Sequence, residues 1–371
     1  MRIAVVTAME AGVEKAYAIN TINMVQGFAK LGHDVTIVSF RHRDGRLPYE
    51  TLKTQYDVRQ QIRWIQMPRR FRGELIDVDR RFALMALTQL WRIRPQFVFV
   101  RNYIAPIISA RWGFPTVSET HAHIDNRTPP FLKMIEATKE HEQFRYLITI
   151  SEVLSDHYQT LGVSEEKMLV LPTGVDVDRF TQSDSLSPSP YQHDKPNIVY
   201  VGHLYDYKGI PTILETANQC PEYNFHLVGG LDRDITAVRS RIEEMSLSNV
   251  VLHGYQPQAN VPAYLWHADV LLLPPSLNHA SARWTSPVKL GEYLASGTPI
   301  VVSQIPAMED WLTEKEVMFF QPDSAESMAK AIHTTLNETS QTQLRTQAGL
   351  KLAQTFSYRQ RAQTILEMCG F

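Results

Sequence analysis

Two segments in the second half of the chain carry lysines where a phosphate site would need them. Residues 200–209 read Tyr-Val-Gly-His-Leu-Tyr-Asp-Tyr-Lys-Gly. An apolar run ends at Gly202, a loop carries His203, and a helical pattern begins near Ile210. Glycine lets the backbone approach a ligand closely, and a helix N-terminus favours an anion. Lys208 at that point can neutralise a phosphate; the plainer reading is a strand–turn–helix with a surface lysine. Residues 286–303 read Ser-Pro-Val-Lys-Leu-Gly-Glu-Tyr-Leu-Ala-Ser-Gly-Thr-Pro-Ile-Val-Val-Ser. Ser286 suits a helix N-cap and Pro287 a first helical turn. The amides of Val288 and Lys289 then point at an anion, and the Lys289 side chain adds charge. Glu292, about one turn further, can accept hydrogen bonds from both ribose hydroxyls of a nucleotide. On spacing alone it is equally a solvated helix carboxylate.

The first half offers fewer such groups. His121 and His123 stand in Ser-Glu-Thr-His-Ala-His, after the apolar run 115–118. By themselves they read as core histidines or as a metal pair. Cys220 and Cys369 form no disulfide framework and sit in no metal-like setting, which fits a reduced compartment.

These residues need a scaffold, and the pattern supplies one. Residues 2–8 form a short apolar run, followed by a turn at Gly12 and a periodic stretch from about Lys15 to Leu31. Further apolar runs lie at 34–40, 97–100, 115–118, 146–150 and 168–171, alternating with helical patterns. Alternation of this kind predicts a parallel sheet with helices on both faces. Residues 181–196, Thr-Gln-Ser-Asp-Ser-Leu-Ser-Pro-Ser-Pro-Tyr-Gln-His-Asp-Lys-Pro, are polar and rich in Ser and Pro, as linkers are. The alternation then restarts, with runs at 197–202, 225–229, 250–254, 270–274 and 300–303. The expected fold is α/β, with two doubly wound Rossmann-like domains facing across a cleft. The first covers 1–180, the linker 181–196 and the second 197–355. Residues 356–371 form a last helix that either packs locally or crosses back to the first domain. Ligands of such sheets sit outside the carboxyl ends of the strands, here in the cleft.

Composition supports two packed domains. The chain has 371 residues, 44% hydrophobic and 20% charged, enough for two cores. No apolar run approaches the ~18 residues of a membrane span, and the N-terminus lacks the features of a secretory signal. The protein is expected in the cytoplasm. Its net charge of −2 hides an asymmetry: residues 1–111 hold 18 Lys and Arg against 9 Asp and Glu. The excess peaks at Arg59, Arg63, Arg69, Arg70, Arg72, Arg80 and Arg81, with Trp64, Ile65 and Phe71 interleaved. Such a cluster is a solvated surface or a contact with an anionic bilayer on the inner face of the membrane. No nucleic-acid module accompanies it.

The order of the motifs resembles family 4 glycosyltransferases. Val-Gly-His-Leu-Tyr-Asp-Tyr-Lys-Gly resembles their Val-Gly-Arg-Leu…Lys-Gly segment. Residues 286–303 resemble their Glu-containing helix and the strand entry after it, in a bacterial branch with Ser-Pro-x-Lys before the Glu. Leu-Pro-Thr-Gly-Val-Asp-Val-Asp-Arg-Phe, 171–180, resembles their signature before the linker, and Gly-His-Asp-Val, 32–35, a strand of their first domain. The resemblance runs from residue 2 to about 360. It implies the GT-B fold and a retaining, metal-independent transfer from a nucleotide-diphosphate sugar, UDP- or GDP-linked, with no other cofactor. It also implies roles. Lys208 binds the diphosphate, Glu292 the ribose, and His121 lies close to the transferred sugar. Gly12 matches the loop after the first strand, and Tyr255 lies in the loop that reads the base. The acceptor is a sugar, a lipid-linked group or a small hydroxyl compound, as in polysaccharide or glycoconjugate synthesis.

This sequence departs from the family pattern twice. The family's phosphate-binding arginine is His203, which carries charge only if a neighbour such as a diphosphate raises its pKa. The first of the family's paired glutamates, eight residues before Glu292, is Trp284, with Arg283 and Thr285 beside it. Arg283 suits an anionic sugar. These changes keep two other readings open: a non-catalytic nucleotide-sugar-binding protein, and a GT-B sugar-nucleotide epimerase.

Overall fold

A computed structural model describes residues 1–13, 15–69, 75–124, 129–181, 188–192, 194–286 and 288–371. The chain divides into two compact units, 1–174 with 357–371, and 175–356. Among the described residues the first holds seven parallel strands: β1 Arg2–Glu10, β2 Asp34–Phe40, β3 Arg63–Met67, β4 Phe97–Arg101, β5 Thr116–Glu119, β6 Phe144–Thr149 and β7 Met168–Val170. Their order is β3-β2-β1-β4-β5-β6-β7. The central strands are apolar throughout because helices cover both faces. On one face Ile22, Val25 and Phe28 of helix Ala16–Lys30 meet Ile3, Val5 and Phe99. On the other, Phe82, Ala86 and Leu90 of helix Leu75–Ile93 meet Ala4, Val6 and Val98.

The last helix, Tyr358–Met368, belongs to this first unit. Tyr358, Ala362, Ile365 and Leu366 recur at helical spacing and bury against the first face. The division at 174 falls ahead of Phe180. The reason is the short helix Val177–Phe180, which buries Val177 and Phe180 in the core of the second unit.

Among the described residues the second unit holds six parallel strands: β8 Asn197–Val201, β9 Asn224–Val228, β10 Val250–Gly254, β11 Val270–Leu273, β12 Ile300–Ser303 and β13 Met318–Phe320. Their order is β10-β9-β8-β11-β12-β13. In both sheets the strand order reverses beside the first strand of the unit, the doubly wound pattern. Residues 182–187 and 193 of the linker lie outside the described residues.

The reading of residues 59–81 as a surface cluster needs correction at its aromatic. Residues 63–67 are the edge strand β3, and Trp64 is buried with its indole N–H donating to Ser39 Oγ at 2.9 Å. Edge pairing hides one face of this polar-apolar segment, so no continuous apolar run announces it. Arg59 pairs with Asp57 and Arg69 with Glu10; Arg70, Phe71 and Arg72 lie outside the described residues. Among the described residues, no helix is long and apolar enough to cross a membrane.

Candidate functional site

In the second unit the site grows from the carboxyl end of β8. Gly202 takes φ +146°, and a Cβ there would run into the Lys289 amine and lie 3.3 Å from Tyr200 Oη. Only glycine lets the lysine lie across this turn. The turn Asp206–Lys208 and Gly209 then lead into helix Ile210–Gln219. Helix Val288–Ser296 approaches from the other side, and its Tyr293 Oη accepts from the Val201 N–H at 2.8 Å. That bond ties the helix to the end of β8. Lys208 and Lys289 thereby line one pocket with Tyr200, Tyr207, Ser281 and Thr285.

The electrostatics of this pocket are positive and unsatisfied. Lys289 Nζ donates to Tyr200 Oη at 2.9 Å and lies 4.1 Å from the ring centroid. Tyr200 Oη donates onward to the His203 carbonyl at 2.7 Å. Burial and the neighbouring Lys208 push the Lys289 amine down to about 7, although Glu292 opposes them. Burial also lowers Lys208, whose amine lies 4.9 Å from the centre of the Tyr207 ring. Among the described residues neither lysine has an ion-pair partner. Burial pushes the Glu292 carboxyl up to about 7, against the pull of Arg179 and Lys289. Two amines whose charge is costly without a counter-ion are chemically suited to an incoming dianion.

The remaining expected residues of this half are placed less closely. His203 is exposed and stacked on Tyr205, centroids 5.0 Å apart. Burial, Lys289 and Lys208 lower its pKa while Asp234 raises it, so the ligand-free histidine is neutral at pH 7. Arg283 ends the turn Ala280–Arg283 and points its residue to solvent, whereas Ser281, Ala282 and Thr285 around it line the lysine pocket. Tyr255 follows β10 and is 55% exposed. Ser286 is half-buried just before the helix, and Val288 is its first described residue. Pro287, and with it the expected Ser-Pro cap, lies outside the described residues.

In the first unit His121 stands beyond the carboxyl end of β5. Its Nε2 lies 2.6 Å from Glu119 Oε1. Glu119 is buried, its Oε2 is 2.7 Å from Arg361 Nη1, and its Oε1 is 3.7 Å from Arg101 Nε. Although burial opposes ionisation, Arg361, Arg101 and His121 together hold this carboxyl well below the usual range. Burial and Arg101 push His121 down to about 4, so it is neutral at pH 7. An ionised Glu119 accepts a hydrogen bond from Nε2–H, which leaves Nδ1 as the acceptor, 3.3 Å from Arg101 Nη2. Arg101 also donates to Asn20 Oδ1 at 2.6 Å, and Arg361 Nε to the Pro172 carbonyl at 2.9 Å.

Sequence reasoning missed Glu119, Arg101 and Arg361. One signal was present: Arg361 interrupts the apolar stripe of the last helix, and a charge in such a stripe needs a partner. His123 stacks on His157, centroids 3.8 Å apart, and among the described residues no cluster could hold a metal ion. Gly12 takes φ +86°, and its carbonyl accepts from Gln55 Nε2 at 2.7 Å. Gly12, Arg101 and His121 follow or end β1, β4 and β5, so all three stand at one edge of the first sheet.

Comparison with known proteins adds a family to this geometry. A Glycosyltransferase Family 4 model matches residues 19–179, and a Glycosyl transferases group 1 model matches residues 195–338. The two models together support a glycosyltransferase of the family 4 kind. Each model matches one of the two doubly wound sheets and its helices, so family and fold agree. The chain is 28% identical over 165 residues to the processive diacylglycerol alpha-glucosyltransferase of Acholeplasma laidlawii, covering 43% of this chain and 48% of that protein. It is 31% identical over 176 residues to the putative colanic acid biosynthesis glycosyltransferase WcaL of Escherichia coli K12, covering 44% of this chain and 41% of that protein. The matches thus span less than half the length of either relative. Anabaena HepE, solved with UDP and glucose, superposes with a TM-score of 0.75 at 15% identity, over 100% of this chain and 99% of that one. At that identity the likeness establishes the fold, GT-B.

Proposed function

We propose that this protein transfers a sugar, with retention of configuration and without a metal ion, from a nucleoside-diphosphate sugar to a hydroxyl acceptor. The observation that carries the reading is the convergence of Lys208 and Lys289 on one pocket at the carboxyl edge of the second sheet. Their two charges stabilise the diphosphate as it leaves, the role a divalent cation plays elsewhere. The bond from the anomeric carbon to the phosphate oxygen breaks, and the bond to the acceptor oxygen forms on the same face. The acceptor proton passes to the departing phosphate oxygen, so no protein carboxylate forms a covalent intermediate. Glu292, once ionised, accepts from the ribose hydroxyls. His121 lies close to the transferred sugar, and His203 adds a donor beside the phosphates once they raise its pKa.

The resemblance to WcaL supports an acceptor in polysaccharide synthesis, and that to the diacylglycerol enzyme supports a lipid-linked one. A cytoplasmic protein touching the inner face of the membrane through its basic first half fits the excess of 18 Lys and Arg over 9 Asp and Glu in residues 1–111. UDP- and GDP-sugars, screened by thermal shift, test the donor site. One donor at 100-fold above its Kd should stabilise the wild type by about 2.7 kcal/mol, and the shift should vanish in Lys208→Ala and Glu292→Ala. A folded wild type that responds to no donor sinks the reading. Donor binding without turnover on any acceptor would favour a nucleotide-sugar-binding protein instead.

A further inference from the structure

A column of stacked rings flanks the lysine pocket of the second unit. His203, Tyr205 and Tyr207 recur at every second residue. His203 stacks on Tyr205 with centroids 5.0 Å apart, and Tyr205 on Tyr207 at 5.4 Å. His279, from the segment after β11, completes the column, 4.1 Å from the Tyr207 centroid and within 18° of parallel. The Ser276 N–H donates to the Tyr207 carbonyl at 3.0 Å. Backbone and ring together thus pin this segment to the turn that carries Lys208.

The imidazole of His279 does more than stack. The Ser281 N–H donates to His279 Nδ1 at 3.2 Å, so Nδ1 is an acceptor. Ser281 Oγ lies 2.7 Å from the same Nδ1. Against an acceptor the hydroxyl must donate. Its one proton is thereby committed, and Ser281 Oγ keeps only lone pairs for any other partner. Ser281 is also fixed in place, because its carbonyl accepts from the N–H groups of Trp284 and Thr285 at 3.2 and 2.9 Å. It lines the same pocket as Lys208 and Lys289. An oxygen that only accepts repels a phosphate oxygen and suits a hydroxyl. The two amines and this serine therefore address different parts of one ligand.

We propose that Ser281 Oγ accepts from a hydroxyl of the donor's sugar, and that His279 is the positioning residue that makes this serine an acceptor. The assignment rests on the transferase reading above and deepens it: the lysines hold the diphosphate, and the serine reads the neutral group attached to it. A sugar on the second phosphate lies beside the diphosphate and so reaches the wall of the same pocket. Two other hydroxyls of that wall are spent on the protein itself. Tyr200 accepts from Lys289 and donates to the His203 carbonyl. Ser276 Oγ accepts from the Asn278 N–H at 3.1 Å, within its own turn. The column of rings holds Ser281 in register with Lys208, because His279 packs on the residue next to that lysine.

Titration calorimetry of the full-length protein tests this, with UDP beside UDP-glucose and GDP beside GDP-mannose. The quantity read is the ratio of the nucleotide-sugar Kd to the matching diphosphate Kd. Ser281→Ala should leave diphosphate affinity within about twofold and raise the ratio about three- to tenfold, the worth of one hydrogen bond. His279→Ala should raise it as much, and the double variant no more than either single one, as expected of residues that act through one bond. His279→Asn, whose amide oxygen accepts in the place of Nδ1, should keep most of the wild-type ratio. An unchanged ratio in Ser281→Ala, in a protein that still binds both ligands, overturns this inference alone. So does an additive double variant, which separates the two residues. A wild type that takes a diphosphate but neither sugar nucleotide also overturns it, because the pocket then holds no sugar for the serine to read. One that takes neither kind of ligand refutes the transferase reading, and this inference with it.

Discussion

The two halves handle buried charge in opposite ways. In the first unit the buried Glu119 carboxylate is surrounded by His121, Arg101 and Arg361. In the second, Lys208 and Lys289 face one pocket, and the nearest polar partner of Lys289 is the neutral phenol of Tyr200. The first arrangement gathers two guanidinium groups around one carboxylate and holds a neutral imidazole beside it. The second sets two amines in one pocket, where burial and Lys208 depress the amine of Lys289. Opposite charges packed together hold a group in place, whereas like charges sharing a pocket disfavour one another's ionisation.

The largest effect should come from breaking the network around Glu119. Arg361→Met removes one partner of a buried ion pair, which costs about 3–5 kcal/mol. For a unit of this size that lowers Tm by roughly 6–20 °C, read by calorimetry without ligand. A drop of a degree or two would mean that the pair contributes little and that the contrast between the halves is false. The same logic reverses in the second unit. Lys289→Met removes a charge that is unfavourable in the free protein, so the ligand-free Tm should hold or rise. Transfer should nonetheless fall by about 10²–10³, the cost of losing one charge-stabilising donor, in a steady-state assay with the donor found by thermal shift. If Lys289→Met instead melts the free protein, the lysine is structural.

Changing the pH sharpens the comparison without mutation. His121 is depressed to about 4 from 6.5, so the unfolded chain binds its proton first, and this stability is lost as pH falls from about 6.5 to 4. Glu119, also depressed, contributes stability that is lost as pH falls below the ordinary glutamate range. Glu292 is raised to about 7 from 4.5, so its contribution is present below pH 4.5 and is lost as pH rises to about 7. Lys289, depressed to about 7 from 10.5, makes stability grow as pH rises from about 7 to 10.5. The two second-unit groups together place a shallow minimum near pH 7 in the ligand-free protein. Donor binding should weaken above that pH, where Lys289 must take up a proton to bind. Urea melts of wild type, Glu292→Gln and Lys289→Met across pH 5–9 check this; identical profiles would remove both assignments. The smallest effect is expected at Arg283, exposed and outside the pocket lining. Arg283→Ala should leave donor affinity within about threefold, the ±0.5 kcal/mol or so of a surface change. A larger loss by titration calorimetry would place this arginine on the sugar.

Most of the scaffold was legible because parallel strands buried on both faces read as unbroken apolar runs. The two missed strands lack that signal. Residues 63–67 lie at a sheet edge with polar residues among the apolar ones, and Met318–Phe320 is only three residues long. Lys208, Lys289 and Glu292 were legible for a different reason: each sits in a local motif where a strand end or helix start fixes its position.

What the sequence determined by itself, then, was short-range: the order of strands and helices, and the lysines set at their junctions. Tertiary structure alone decided what depends on contacts between distant segments. It brought Arg361 from the last helix beneath Glu119, near the end of β5. It turned Trp64 inward and set His279 against Tyr207. It also set the protonation states, since burial, the largest influence on Lys289, Glu292 and His121, arises only once the helices and loops have closed over each group.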